Sequence, residues 1–120
     1  MSISHLFKNP DLNLKATLRI FGEEAPLFGP GRLQLLDNIA STGSINQAAK
    51  NMGMSYKKAW KMVSHMNEQA KSPLVVMQTG GSSGGGAVVT DEGHEIMGYY
   101  KALQERFESF LHTESENLKA

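Results

Sequence analysis

The sequence predicts a small α+β fold, mainly helical: a winged helix-turn-helix with an N-terminal strand or hairpin before it and a long C-terminal dimerisation helix after it. Three observations predict this. The stretch Ser44–Gln69 divides into two short helices around Gly53. A glycine-rich run, GGSSGGG at residues 80–86, lies between two apolar stretches, as the tip of a hairpin would. Beyond it Ile96, Tyr100, Leu103, Phe107 and Phe110 recur at spacings of 4, 3, 4 and 3, a heptad seam.

In chain order, residues 1–11 read as a flexible lead-in, ahead of one domain over residues 12–112. From Leu12 to Ile20 apolar and polar residues alternate strictly, which predicts a half-buried strand. Gly22-Glu23-Glu24 makes a turn, and Ala25–Phe28 returns as a short strand that Pro26 confines to an edge. Gly29-Pro30-Gly31 breaks the chain before a helix over about Arg32–Ser41. This helix buries Leu33, Leu36, Ile39 and Ala40 and ends near Gly43. Ser44 caps the next helix, with Gln47 in capping-box position and Ala48, Ala49 and Met52 as a compact apolar face. Gly53 supplies the tight turn and Ser55 caps the second helix, residues 55–69. That helix sorts into an apolar face (Tyr56, Ala59, Trp60, Val63, Met66) and a polar one (Lys57, Lys58, Lys61, Ser64, His65, Glu68). Leu74–Thr79 and Ala87–Val89 then form strands about a wing over residues 79–87. Thr90 caps a last helix over residues 91–112, with Asp91 and Glu92 in its first turn, and residues 113–120 read as a frayed acidic tail.

The chain has 120 residues, 40% hydrophobic and 20% charged, which suits one folded domain with a modest core. It carries no cysteine, so disulfide frameworks and thiolate metal sites are excluded and a cytoplasmic location fits, nucleoid-associated if the chain binds DNA. The formal net charge is zero, but the charge is segregated. From Asn38 to Asn67 there are four lysines and no acid; from Asp91 to Ala120 there are seven acids and three basic residues. Phosphate affinity follows local lysines, so the basic helix pair suits double-stranded DNA although the chain as a whole is neutral.

On that reading Lys57, Lys58 and Lys61 face the groove. Ser44, Gln47 and Ser55 bond phosphates at the helix starts, and Ser82, Ser83, Gly84 and Gly85 of the wing meet the backbone. Tyr56 and Trp60 are assigned to the core, because aromatics at helical spacing usually pack. The seam Ile96, Tyr100, Leu103, Phe107 and Phe110 suits a second copy, although the same face would also serve to pack on the chain's own N-terminal strand. The competing reading is a winged-helix protein-interaction module without DNA binding, which neutral charge and only three arginines favour. An enzyme is not expected: the four histidines are scattered, with no catalytic constellation, metal spacing or cofactor motif.

GPGRLQLLDNIASTGSINQAAKNMGMSYKKAW, followed by TGGSSGGGAVVT, resembles the DNA-binding domain of the ModE family of molybdate-responsive bacterial regulators, a winged helix of LysR type. The resemblance covers roughly residues 12–112. Its most specific parts are Thr42-Gly43-Ser44-Ile45, Gly53-Met54-Ser55-Tyr56-Lys57 with Ala59-Trp60, and the wing glycines with Thr90. It implies a homodimer, joined through the N-terminal strand region and the last helix, on a palindromic site. Better-known members add a C-terminal molybdate-binding domain where this sequence ends. The resemblance therefore carries over DNA binding, and molybdate binding is not expected of these residues.

Overall fold

The computed structural model describes residues 2–23, 25–79 and 86–119. The chain divides into two compact units, one of Arg19–Tyr100 and one of Met1–Leu18 with Lys101–Ala120.

The first unit begins with a hairpin. Strand β1 (Ile20–Gly22) pairs antiparallel with β2 (Ala25–Phe28), with a bulge between Ile20 and Phe21. Helix α1 (Pro30–Thr42) starts with Pro30, whose missing N–H costs nothing in a first turn. It ends at Gly43, held at φ 69, where the Gly43 N–H donates to the Ile39 carbonyl at 2.8 Å. Ser44 caps α2 (Ile45–Asn51), its Oγ accepting from the Gln47 N–H. The box is not reciprocal: the Gln47 side chain bonds Asn51, and the Ser44 N–H donates to Thr42 Oγ1. Gly53, at φ 66, turns the chain, and Ser55 caps α3 (Tyr56–Gln69) by accepting from the Lys58 N–H.

Strands β3 (Val75–Gln78) and β4 (Gly86–Val89) pair in register from Val75–Val89 to Gln78–Gly86. The Ala87 N–H also donates to the Gly43 carbonyl at 2.9 Å, tying the hairpin to the end of α1. The core lies under α1, α2 and α3: Leu35, Leu36, Ile39, Ile45, Ala48, Ala49, Ala59, Val63 and Met66 are all buried, with Phe28, Val75, Ala87, Val89, Met97 and Tyr100. Phe28 and Tyr100 meet edge to face at 5.3 Å. Leu33 is half-buried and Ala40 exposed, because α1 turns Leu35 inward where Leu33 and Ala40 were expected.

Helix α4 (Asp91–Lys119) contributes residues to both units. Thr90 caps it, accepting from the Gly93 N–H while its own hydroxyl donates to the Pro73 carbonyl at 2.7 Å. The helix runs through the segment read as a frayed tail, and that segment has anchors the sequence pattern does not display. The Leu14 N–H donates to Ser115 Oγ at 2.8 Å, and Ser2 Oγ and the Ile3 N–H both donate to the Leu118 carbonyl. Within this unit the N-terminal segment therefore lies on α4, with one 3-10 turn at Ser4–Leu6. The strand expected over Leu12–Ile20 is present only at Ile20, where β1 begins. Alternation alone makes no strand where no neighbouring ladder meets the backbone.

Gly93 is set by close approach. A Cβ there would press on the Leu74 carbonyl oxygen and come within 2.6 Å of Val89 Cγ1. Because one of these neighbours is backbone, Gly93→Ala should destabilise the protein by about 1–3 kcal/mol, read as a lowered denaturant midpoint with unchanged slope. An unchanged midpoint would show that the α4 start can shift freely.

Candidate nucleic-acid interface

Helix α3 buries only a narrow stripe, Ala59, Val63 and Met66. Its other positions follow from about 100° of rotation per residue. Lys57, Lys58 and Lys61 are exposed, as expected. Tyr56 and Trp60 are not core: they are 47% and 48% exposed. Trp60 is one step round from Ala59, on the flank of the stripe, and Tyr56 stands in the first turn at the helix end. The two rings and the stems of Lys57 and Lys61 line a single open groove with almost wholly apolar walls.

Ser44 and Ser55 occupy the N-caps of α2 and α3, and each hydroxyl oxygen is used by a backbone N–H. Each keeps its O–H proton for an outside acceptor. Gln47 is exposed in the first turn of α2. His65, placed on the lysine face by spacing, is half-buried instead. Arg32 Nη2 bonds its Nδ1 at 2.7 Å, and Arg32 Nη1 donates to the Pro26 and Leu27 carbonyls at 2.8 and 2.6 Å. Burial lowers the Arg32 pKa, but a guanidinium stays charged and can only donate, so Nδ1 is the acceptor. Arg32 thus fastens α1 and β2 to α3.

Asn67 fixes the wing to the helix. Its Nδ2 donates to the Val75 carbonyl at 2.9 Å, and its Oδ1 accepts from the N–H groups of Leu74 and Val75 at 2.9 and 3.3 Å. Sequence reasoning missed both Asn67 and Arg32. An Asn at a helix end before a short loop was the one available hint, and Arg32 gave none. The wing residues Ser82, Ser83, Gly84 and Gly85 lie outside the described residues.

The seam on α4 is divided. Ile96, Leu103 and Phe107 are half-buried and Phe110 is 56% exposed, with the Phe107 and Phe110 rings stacked at 6.4 Å. Tyr100 is a correction. It has no exposed surface and packs on Phe28, because β2 reaches this turn of α4, so it is a core residue of its own chain. Among the described residues, no group of three or more metal-ligating side chains is present, and no helix is long and apolar enough to cross a membrane.

The family model of bacterial regulatory helix-turn-helix proteins of the lysR family matches residues 30–94, from the start of α1 to the first turn of α4. The chain is 46% identical over 87 residues to the molybdenum transport protein ModE of Azotobacter vinelandii, covering 72% of this chain and 32% of that protein. It is 41% identical over 92 residues to the DNA-binding transcriptional dual regulator ModE of Escherichia coli, 77% of this chain and 33% of that one. The molybdenum-pterin-binding protein MopB of Rhodobacter capsulatus is 43% identical over 77 residues, 64% of this chain and 28% of MopB. The matched part of this chain thus spans about a third of the length of these relatives.

Replacing Asn67 with Ala leaves the Leu74 and Val75 amides and the Val75 carbonyl without these side-chain bonds. The expected cost is about 1–3 kcal/mol, with faster hydrogen exchange at the Leu74 and Val75 amides than elsewhere in the core. Uniform protection would show that β3 is held without the clamp.

Proposed function

The chain belongs to the lysR family of bacterial regulatory helix-turn-helix proteins, and from that premise we propose that it is a DNA-binding transcriptional regulator, acting as a homodimer on a palindromic site. The observation that carries this is the exposed lysine side of α3, held beside the wing by Asn67. On this reading α3 enters the major groove, with Lys57, Lys58 and Lys61 reaching bases or phosphates. Ser44, Gln47 and Ser55 meet phosphates on either side. Ser82, Ser83, Gly84 and Gly85 approach the backbone from the wing, where glycine lets main-chain N–H groups come close to phosphate oxygens. The protein would work in the cytoplasm at the nucleoid, and these residues would bind no molybdate.

The unit of residues 1–18 and 101–120 supports the dimer. Among its described residues the one buried side chain is that of Ser115. Leu6, Phe7 and Phe110 are 66%, 53% and 56% exposed. A unit with no buried apolar side chain has little hydrophobic stabilisation of its own, and a second copy would supply it. That copy would also offer a ladder to the alternating segment from Leu12 to Arg19.

The double variant Lys57→Ala, Lys61→Ala should bind its selected duplex more weakly. The slope of log affinity against log salt should flatten by about 2, near 0.9 for each lost phosphate contact. Unchanged affinity would remove these lysines from the interface. Salt-insensitive affinity in the unmodified protein would favour the protein-interaction reading. Phe110→Asp should shift the protein from dimer to monomer in sedimentation at micromolar concentration. A dimer of unaltered strength would place the interface elsewhere.

A further inference from the structure

We propose that Tyr56 and Trp60, with the stems of Lys57 and Lys61, form a cleft that reads the 5-methyl group of thymine in the major groove. The inference rests on the DNA-binding reading of α3 and deepens it by naming the base. The two rings stand at i and i+4 on α3, so they share one side of the helix and wall a common groove. Each is nearly half exposed in the chain by itself. A tryptophan and a tyrosine left side by side in water mark a contact surface more often than a stray apolar residue does.

Charge complementarity identifies the occupant. The groove is flanked by Lys57 and Lys61, and no acid occurs between Asn38 and Asn67. Such a surface accepts a polyanion and disfavours a cationic one. The lysine stems extend the apolar walls while their ammonium groups reach outward to phosphates or base edges. In the major groove nearly every group a protein meets is a hydrogen-bond donor or acceptor. The apolar exception is the thymine methyl. An apolar cleft carried into that groove beside two lysines therefore matches thymine. The lysines supply affinity that depends on salt, and the rings supply discrimination that does not.

The test uses the duplex enriched from a random pool by the unmodified protein, resynthesised with deoxyuridine in place of each thymidine in turn. This removes a methyl group and leaves pairing unchanged. We expect one or two thymines per half-site at which affinity falls about three- to tenfold. Trp60→Ala should bind more weakly, lose that discrimination at the same positions and unfold near the normal temperature. Trp60→Phe should keep part of it, which guards against a misfolded Ala variant. Lys58→Ala, exposed but outside the cleft, should lose affinity and salt slope yet still distinguish thymine from uracil. Salt-sensitive binding that ignores every substitution, discrimination that survives Trp60→Ala, or an enriched motif without half-site thymines would overturn the proposal and leave the DNA-binding reading standing. No binding of any duplex at low salt would overturn both.

Discussion

The hydrogen bond from the Ala87 N–H to the Gly43 carbonyl, 2.9 Å long, holds together the parts of the unit that would face a partner. Gly43 already ends α1 through its own N–H and its left-handed backbone, and the next residue caps α2. One residue thus sets where α1 stops, where α2 starts and where β4 docks. A side chain is disfavoured there by φ alone, since no neighbour crowds the position. Asn67 completes the arrangement from the other strand by tying the end of α3 to the start of β3. The hairpin is therefore anchored to two helix ends, at the base of β3 by Asn67 and near the loop end of β4 by Gly43. A two-stranded ribbon has little stability of its own, and these anchors, with the burial of Val75, Ala87 and Val89, hold the two strands against the helices.

Stabilisation is distributed unevenly. Leu35, Leu36 and Ile39 of α1 have no exposed surface, and the small residues Ala48, Ala49 and Ala59 let α2 and α3 approach closely. This core leaves the outer side of α3 free of packing duties, so lysines and aromatic rings can occupy it. The unit containing the N-terminal segment instead holds itself by backbone and hydroxyl contacts such as Leu14 with Ser115, and leaves Leu6, Phe7 and Phe110 in water. Such contacts specify a geometry but contribute about 0.5–1.5 kcal/mol each, so added apolar burial would matter most there.

Where the sequence carried local signals, the fold was legible. Ser44, Ser55 and Thr90 as caps, Gly43 as a helix end, Gly53 as a left-handed turn, and the two apolar stretches about the glycine run all rest on short-range chemistry, and each is found in place. Errors fall where the outcome depends on distant partners. The alternation over Leu12–Ile20 marks a strand only if a ladder is present. The acidic end of α4 stays helical because Ser2, Ile3 and Leu14 reach it from the other end of the chain. Tyr100 sits on a heptad seam yet is claimed by Phe28. At the candidate site the lysines and caps were legible. Trp60 was not, because residue type widened the apolar stripe beyond the Ala59, Val63 and Met66 that the packing uses.

The same geometry explains how a chain of zero net charge can suit a polyanion. Electrostatic attraction in salt acts over about a Debye length, near 8 Å at physiological ionic strength. What matters is therefore the charge around the first turns of α3, where Lys57, Lys58 and Lys61 stand with no acid between Asn38 and Asn67, and not the total. Arg32, which would otherwise add to that field, is held inward by two carbonyls and His65 and acts as a brace. With few cations available, phosphate contacts alone would give modest and sequence-blind affinity. On the proposed reading, half-exposed rings beside the lysines would change that balance. They carry a cost in the free protein, and the cost is recovered only against a surface that offers an apolar group at the right place. On that reading a weakly cationic helix of this kind would depend on discrimination more than on charge.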